Sequence, residues 1–157
     1  MLNETVNNSL KPLGEWICDS CGGVIQSEDD GWLEWYKDVK PNHEFGKDKG
    51  FRIVHHTNRC MFNERAMFND KKLTADLHLQ RLCGPDGLVR LLSFIEHDYV
   101  EDNAELVEII RRLHVPYYEE ARQYHHIAEE NGYFDGENEI TRYTTSTSKY
   151  ILNNYKE

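Results

Sequence analysis

CDSCGG at residues 18–23 and HHTNRC at residues 55–60 are the two stretches that decide the fold of the N-terminal third. Two cysteines separated by two residues can direct both thiolates at one tetrahedral ion from a tight turn, and the glycines behind them let the backbone fold back over the sulfurs. In the second stretch, a histidine precedes a cysteine by a spacing that is usual for a zinc-binding pair. The sequence therefore predicts one structural zinc ion, held by Cys18, Cys21, Cys60 and either His55 or His56.

The alternation of side chains in the strand before HHTNRC favours one of the two histidines. In a strand, Phe51, Ile53 and His55 point to the same face, and His56 points to the other. The face with Phe51 and Ile53 is expected to meet the core, and the metal is expected at the end of that core. His55 is therefore the preferred ligand, and His56 is expected near the surface or hydrogen-bonded beside the site.

Other interpretations of the cysteines are weaker. A redox CxxC would need a thioredoxin-like strand–helix setting, whereas this motif lies between short strands and is followed by two glycines. Cys60 as a simple buried thiol is the alternative to a ligand, but four candidate ligands at two suitable spacings favour zinc. Cys83 is interpreted as a small core residue, because the pair that it forms with His78 has no second pair to complete a site.

The region from about residue 16 to residue 60 resembles the zinc-ribbon class: CDSCGG, intervening strands, then HHTNRC. A histidine replaces one of the four cysteines that are common in such ribbons. Many unrelated proteins contain ribbons, so the resemblance implies a structural zinc ion and says little about function. Residues 61–157 resemble no specific family.

The pattern of apolar residues predicts an α+β fold, with a small zinc-ribbon-like β module followed by a helical region packed on it. Residues 1–14 are expected to be a flexible lead-in, residues 15–70 the β module and residues 71–157 the mainly helical region, or the whole is one continuous domain. The predicted strands cover residues 15–17, 24–25, 31–36 and 51–55, with an exposed loop at residues 37–50.

Helical spacing begins at about residue 74. Thr74 predicts the cap of a short helix that ends before Gly84, and residues 84–87 predict a turn. Asp102 with Glu105 three residues on is typical of a capping box, which starts the clearest helix of the chain. The remaining predictions are a helix at residues 88–95, a helix from Pro116 to Gly132, a short strand at 141–145 and a last helix at 148–155.

The charge and composition of the chain restrict its function. The 157 residues include 28 acids and 18 bases, a net charge of −10, so the surface should repel nucleic acid and attract basic partners. Residues 101–131 contain 8 acids and 3 bases, which disfavours a helix-turn-helix contact with DNA there. The sequence contains neither a long apolar run nor a recognisable signal peptide, so a cytoplasmic protein with reduced thiols and no membrane contact is expected.

Three functions fit these observations. The first is a zinc-stabilised binding, adaptor or regulatory protein without catalysis, which acts on a protein partner that is basic or itself binds nucleic acid. The second is a metal-dependent nuclease of the His-Asn-His type, in which His55 or His56 would act with Asn63, Asn69 and His78. The third is a DNA-binding transcriptional regulator, which the acidic charge disfavours.

Overall fold

The computed structural model describes residues 5–136 and 139–157, so residues 1–4 of the predicted lead-in and residues 137–138 of the predicted helical region lie outside the described part. The fold is α+β, as the sequence predicts. Within the described ranges, the strands form two antiparallel sheets, one with two strands and one with three. The strands are β1 (Trp16–Ile17), β2 (Val24–Ile25), β3 (Gly31–Asp38), β4 (Lys49–His55) and β5 (Lys72–His78).

Six α-helices accompany the sheets in the described part of the chain, together with four short 3-10 turns. The α-helices are α1 (Glu64–Asn69), α2 (Gly84–Glu96), α3 (Asn103–His114), α4 (Tyr118–Ala121), α5 (His125–Glu130) and α6 (Thr145–Tyr155). The 3-10 turns are Glu28–Asp30, Leu79–Arg81, Arg122–Tyr124 and Glu139–Thr141. None of the described helices is both long and apolar enough to cross a membrane.

Strand β3 is the centre of the larger sheet, with β4 on one side and β5 on the other. Leu33 of β3 lies opposite Ile53 of β4 and Leu77 of β5, and Leu33 and Ile53 are fully buried. Because side chains alternate along a strand, Trp32 and Glu34 point to the opposite face. The Phe51 and Ile53 face of β4 meets the larger core, as the alternation predicts, and Val54 on the other face is also fully buried.

The helix predicted from Thr74 to the residue before Gly84 is wrong, because residues 72–78 form β5 and residues 79–81 form a 3-10 turn. Apolar Leu73, Ala75 and Leu77 alternate with polar residues, which is the period of a half-buried strand. Pairing along the whole of β3 outweighs the weak helix-start signal of a lone threonine. Strands β3 and β4 also extend into both ends of the loop predicted at residues 37–50.

The predicted turn at residues 84–87 is instead the first turn of α2. Backbone amides in the first turn of a helix have no partner within the helix, so Pro85 sacrifices no hydrogen bond there. Helix α3 is confirmed, and the Asp102 side chain caps it by accepting the amide of Ala104. The predicted capping box is incomplete. Glu105 accepts the amide of Gly50 on β4 instead of reaching back to its own helix start.

The C-terminal predictions are partly wrong. The helix predicted over residues 116–132 is divided into α4, a 3-10 turn and α5, and Tyr117 before it has a left-handed φ of 69°. The strand predicted at residues 141–145 is not formed. Helix α6 begins at Thr145, three residues before the predicted start, because Thr144 caps it by accepting the amide of Thr147.

The buried apolar side chains form two clusters. The larger joins both sheets to α2 and α3, and the smaller joins α4, α5, Phe134 and α6. The larger cluster takes residues from both sides of residue 70, where the sequence predicts a domain boundary, and that boundary stays a prediction. Residues 5–14 contact the C-terminal helix, since the amide of Asn7 donates to Asn153 and Lys156 donates to Ser9.

Candidate metal centre

Four predicted ligands lie together at one end of the larger core. The ligand atoms of Cys18, Cys21, His55 and Cys60 all lie within 4.8 Å of one another. His55 Nδ1 is 3.4 Å from the Cys21 sulfur and 3.8 Å from the Cys60 sulfur. A tetrahedral zinc ion with bonds of about 2.3 Å to sulfur and about 2.1 Å to nitrogen places its ligand atoms about 3.5–3.8 Å apart. The two distances from His55 Nδ1 are close to that range, so the cluster is near the size of a tetrahedral metal site.

The turn between β1 and β2 positions the first cysteine pair. The Cys18 amide donates to the Gly23 carbonyl, and the Gly22 amide donates to the Cys18 carbonyl, each at 2.9 Å. Gly22 adopts a φ of 75°, a conformation that is strained for residues with a Cβ. The Gly23 amide lies 3.4 Å from the Cys21 sulfur and the His55 amide 3.4 Å from the Cys18 sulfur, so backbone dipoles point at both thiols.

The structure brings His55, and not His56, into the cluster. His55 is the last residue of β4, on the core face, and its Nδ1 faces the sulfurs. Its Nε2 is 3.0 Å from the Val24 carbonyl, to which it donates when Nδ1 is the ligand atom. His56 is exposed and packs on the indole of Trp32, with ring centres 4.4 Å apart.

The thiols differ in environment. Cys18 and Cys60 are buried and Cys21 is exposed. Burial opposes ionisation of Cys18, but hydrogen bonds from the backbone of Cys21 and His55 outweigh it and lower its pKa to about 6. A hydrogen bond with Thr57 favours the Cys60 thiolate, yet burial and the neighbouring Cys18 and Cys21 raise its pKa. Three thiols this close repel one another once ionised, and a shared divalent cation removes that repulsion.

A buried arginine ties the first cysteine pair to α3. Arg112 donates to the Asp19 carboxylate at 2.7 Å and to the Ile17 carbonyl at 3.1 Å, and it makes a fork of hydrogen bonds with Glu119. Asp19 also accepts the amide of Ile53 at 2.8 Å, so one carboxylate joins the metal turn, β4 and α3. Burial opposes the charge of Arg112, but Glu119 and Asp19 outweigh it and raise its pKa above the usual value.

Sequence reasoning missed this arginine, although a signal was present. Arg112 follows Ile109 by three residues, so it lies beside the apolar face of α3. A charged residue on the buried face of a helix requires a buried partner. The sequence alone does not show that Asp19 and Glu119 are those partners, because Asp19 is 93 residues away.

The other residues considered for chemistry lie elsewhere. Asn63 caps α1 by accepting the amide of Ala66, and Asn69 is the last residue of that helix. His78 lies on the outer face of the sheet, with its ring centre 5.1 Å from that of Trp32. In the described part of the chain, no second group of three or more candidate ligands comes together. The nuclease interpretation stays a prediction.

Cys83 precedes α2 and does not join the cluster. Burial, followed by the charge and a hydrogen bond of Glu28, raises the pKa of its thiol to about 12. The thiol is therefore protonated at neutral pH, as expected for a core residue and not for a ligand or nucleophile.

No protein-family model, curated protein or solved structure matches the chain. The likeness to zinc ribbons therefore depends on the motif at residues 16–60 and on the geometry of the four side chains.

Proposed function

We propose that Cys18, Cys21, His55 and Cys60 bind one zinc ion whose role is structural. The observation that carries the proposal is the convergence of four ligand atoms within 4.8 Å from two segments that are distant in sequence. Three thiolates and one imidazole form a ligand set that suits zinc, which is borderline soft and accepts tetrahedral geometry without loss.

The same ligand set disfavours catalysis at the metal. Catalytic zinc ions keep a position for water or substrate, whereas four protein ligands fill a tetrahedral shell. Three thiolates also donate charge to the ion and make it a weak Lewis acid. The metal would instead join the turn between β1 and β2 to the end of β4 and stabilise the larger core.

We further propose that the chain is a cytoplasmic binding, adaptor or regulatory protein that contacts a basic or nucleic-acid-binding protein. Two features support this role: the net charge of −10 and apolar side chains on the surface. Val89 and Leu92 lie one turn apart on α2 and are 62% and 46% exposed. A pair of exposed aliphatic residues on one helix face is suited to a protein contact. The four free cysteines suit a reducing compartment.

The metal proposal is tested by the zinc content of protein purified without added metal. About one zinc per chain is expected for the wild type. Cys21→Ser removes one ligand and should lower the zinc content sharply. Because Cys21 is exposed, the substitution leaves no cavity in the core. Cys83→Ser is the matched control and should keep its zinc. His55→Ala should lose zinc while His56→Ala keeps it. Well-folded wild type without zinc would refute the proposal, and loss of zinc from the His56 variant alone would refute the assignment of His55.

The adaptor role is tested separately. Proteins retained by the immobilised zinc-loaded chain and released by salt are identified, and each is purified for a direct binding measurement. A basic partner should bind more weakly as ionic strength rises and should also bind Val89→Lys more weakly than wild type. Binding of duplex DNA by the chain alone would instead support the regulator interpretation. Plasmid cleavage that His78→Ala abolishes without unfolding would support the nuclease.

A further inference from the structure

Strand β5 is one edge of the larger sheet, because it pairs with β3 on one side and no strand of the described chain lies on its other side. It keeps a regular register with β3 over all seven of its residues, Lys72–His78, and it contains no proline. Proteins usually shorten, bend or cover such edges, since a straight edge strand is a template for pairing with another chain. The free side of β5 is therefore a candidate site for a further strand.

The ladder between β3 and β5 shows which backbone groups face the free side. Just beyond the paired strands, the Val39 amide donates to the Lys71 carbonyl at 2.9 Å, which identifies a hydrogen-bonded pair. Bonded and non-bonded pairs alternate in an antiparallel ladder, so every second residue from Lys71 faces β3, namely Leu73, Ala75 and Leu77. The backbone N–H and C=O groups that face outward belong to Lys72, Thr74, Asp76 and His78. None of these outward groups has a hydrogen-bond partner within residues 5–136 and 139–157.

An open groove lies beside this edge. Helix α1 packs against β5, and its Phe68 is 66% exposed and lines the groove on both sides. On one side of Phe68 the groove is lined by Arg65 and by the start of β5, where Leu73 is 40% exposed. On the other side it continues to Val39 and Pro41. Side chains alternate between the two faces of a sheet, so every second side chain of an added strand would lie beside α1 in this groove.

The groove is positive although the chain is acidic. Its lining includes four bases and one acid, Lys40, Arg65, Lys71 and Lys72 against Glu64. Asp70 beside the groove pairs with Lys72 at 3.1 Å, which leaves an excess of two positive charges. Lys40, Arg65 and Lys71 form no ion pair with any residue that the structure describes. A chain with a net charge of −10 thus carries a local site that attracts a negatively charged segment.

We propose that the free edge of β5 binds an extended acidic segment of a partner protein by strand addition. The backbone of that segment pairs with the outward N–H and C=O groups of Thr74 and Asp76, while its carboxylates face Arg65 and Lys71. An apolar side chain of the segment packs on Phe68. This site differs from the surface proposed above for a basic partner, and together the two let one chain bind partners of opposite charge.

The edge distinguishes a polypeptide from a nucleic acid. Its outward groups include both donors and acceptors, and another polypeptide backbone matches both. A phosphate backbone supplies acceptors and would leave the outward carbonyls of β5 unpaired. A second copy of the chain is also a poorer match, because it carries a net charge of −10 and brings the same positive groove at its own edge.

The proposal is tested with capped peptides of about ten residues on the full zinc-loaded chain. One peptide alternates glutamate with valine, so that its carboxylates lie on one face of an extended strand. The second peptide has lysine in place of glutamate, and the third is the glutamate peptide with its central amides N-methylated. The glutamate peptide should bind saturably, the lysine peptide should bind at least about tenfold more weakly, and the N-methylated peptide should not bind.

Amide hydrogen exchange shows whether the peptide pairs with the edge. In the free chain, the amides of Thr74 and Asp76 should exchange faster than the amide of Ala75, which is bonded to β3. The glutamate peptide should slow exchange at Thr74 and Asp76 and change it little at Ala75. This measurement reports backbone pairing, which attraction between charges alone does not produce.

Two variants separate the charge of the groove from the pairing of the edge. Arg65→Glu should weaken binding of the glutamate peptide by about fivefold or more. Its control is Arg90→Glu, which changes an exposed cation outside the groove and should bind as wild type does. Thr74→Pro removes an outward amide and spares the ladder with β3, so it should weaken binding by about tenfold.

Any of four results would overturn the proposal. They are the absence of saturable binding by the glutamate peptide, equal binding of the lysine peptide, unchanged exchange at Thr74 and Asp76 in the bound chain, and equal affinity of wild type and Arg65→Glu. Tighter binding of a single-stranded oligonucleotide would instead assign the groove to nucleic acid, and a dimer that Thr74→Pro dissociates would assign the edge to a second copy. If Thr74→Pro unfolds, the exchange measurement takes its place. Zinc content measured in the same samples keeps this result independent of the metal proposal.

Discussion

Replacing Arg112 by methionine is the most informative test of how the metal turn is held to α3. The Arg112 side chain is 3% exposed, and its partner Glu119 is 6% exposed as a residue. Methionine fills a similar volume but leaves the Glu119 carboxylate buried without its cation. Asp19 loses its 2.7 Å hydrogen bond at the same time. A buried charge that loses its partner costs far more than the broken contact between two exposed groups.

The expected loss is about 3–5 kcal/mol in the free energy of unfolding, as for other buried pairs broken on one side. For a chain of this length, each kcal/mol lowers the melting temperature by about 2–4 °C, so Arg112→Met should melt about 6–20 °C below wild type. Adding Glu119→Leu removes the stranded carboxylate. The double variant should therefore recover part of the loss, with a coupling free energy of about 2 kcal/mol or more.

The assay is urea denaturation of zinc-loaded protein, with zinc content measured in each sample so that metal loss is separated from loss of the ion pair. Arg90→Met is the control, because Arg90 is exposed, and it should change stability by less than about 0.5 kcal/mol. A loss below about 1 kcal/mol for Arg112→Met, the size of an exposed pair, would refute this reasoning. The reasoning is also refuted if the stability loss of the double variant equals the sum of the losses of the two single variants.

Three further predictions concern the packing and the pH dependence. Glu34→Ala should cost about 1–3 kcal/mol in the free energy of unfolding, because the Phe62 amide and Arg52 lose their buried acceptor. Glu34→Gln keeps an acceptor and should cost less than about 1 kcal/mol. Equal losses for the two variants in urea denaturation would contradict this explanation. Gly87→Ala should cost about 1–3 kcal/mol in the free energy of unfolding, because a Cβ there would overlap the backbone of Leu82. Gly46→Ala is the control and should change the melting temperature little, because its Cβ would lie 3.6 Å from the nearest atom. Burial lowers the pKa of His114, so the unfolded chain binds a proton at this histidine more readily than the folded chain does. The stability of wild type relative to His114→Gln should therefore be largest above pH 6.5 and decline as the pH falls below that value. A stability difference that grows toward acid would exclude this cause.

The sequence predicts the metal cluster better than it predicts the elements around it, because cluster spacing is a local property. Both stretches place their ligands within a few residues, and the alternation along β4 distinguishes His55 from His56. Strand β5 was missed because its partner, β3, lies about 40 residues earlier. Pairing with a distant strand decides the conformation of such a segment, and a single helix-start signal at Thr74 misleads.

The division of the segment at residues 116–132 has a similar cause. Its apolar residues recur at helical spacing, but the chain tightens into a 3-10 turn at Arg122–Tyr124 and departs from helical angles at Tyr124, with a φ of −112° and a ψ of 2°. Arg122 in this turn pairs with Glu108 on α3.

The unpaired edge of β5 could not be predicted either. Which amides of this strand face outward follows from its pairing with β3, and the groove beside it forms only when α1 packs against the strand. Local patterns report which residues are apolar, and they do not report which backbone groups remain unpaired.

The sequence separation between the two halves of the metal cluster has a consequence for how the chain assembles. Cys21 and His55 are 34 residues apart, and closing a loop of that length in a disordered chain costs roughly 3 kcal/mol of entropy. Two hydrogen bonds between Asp19 and Ile53 hold the first cysteine pair against β4, so the folded chain presents all four side chains together and the unfolded chain does not. Binding is then tighter to the folded than to the unfolded chain, and the apparent stability rises with the concentration of free metal. Denaturation measured beside a chelator and denaturation measured with excess zinc should accordingly give two different midpoints for one sequence.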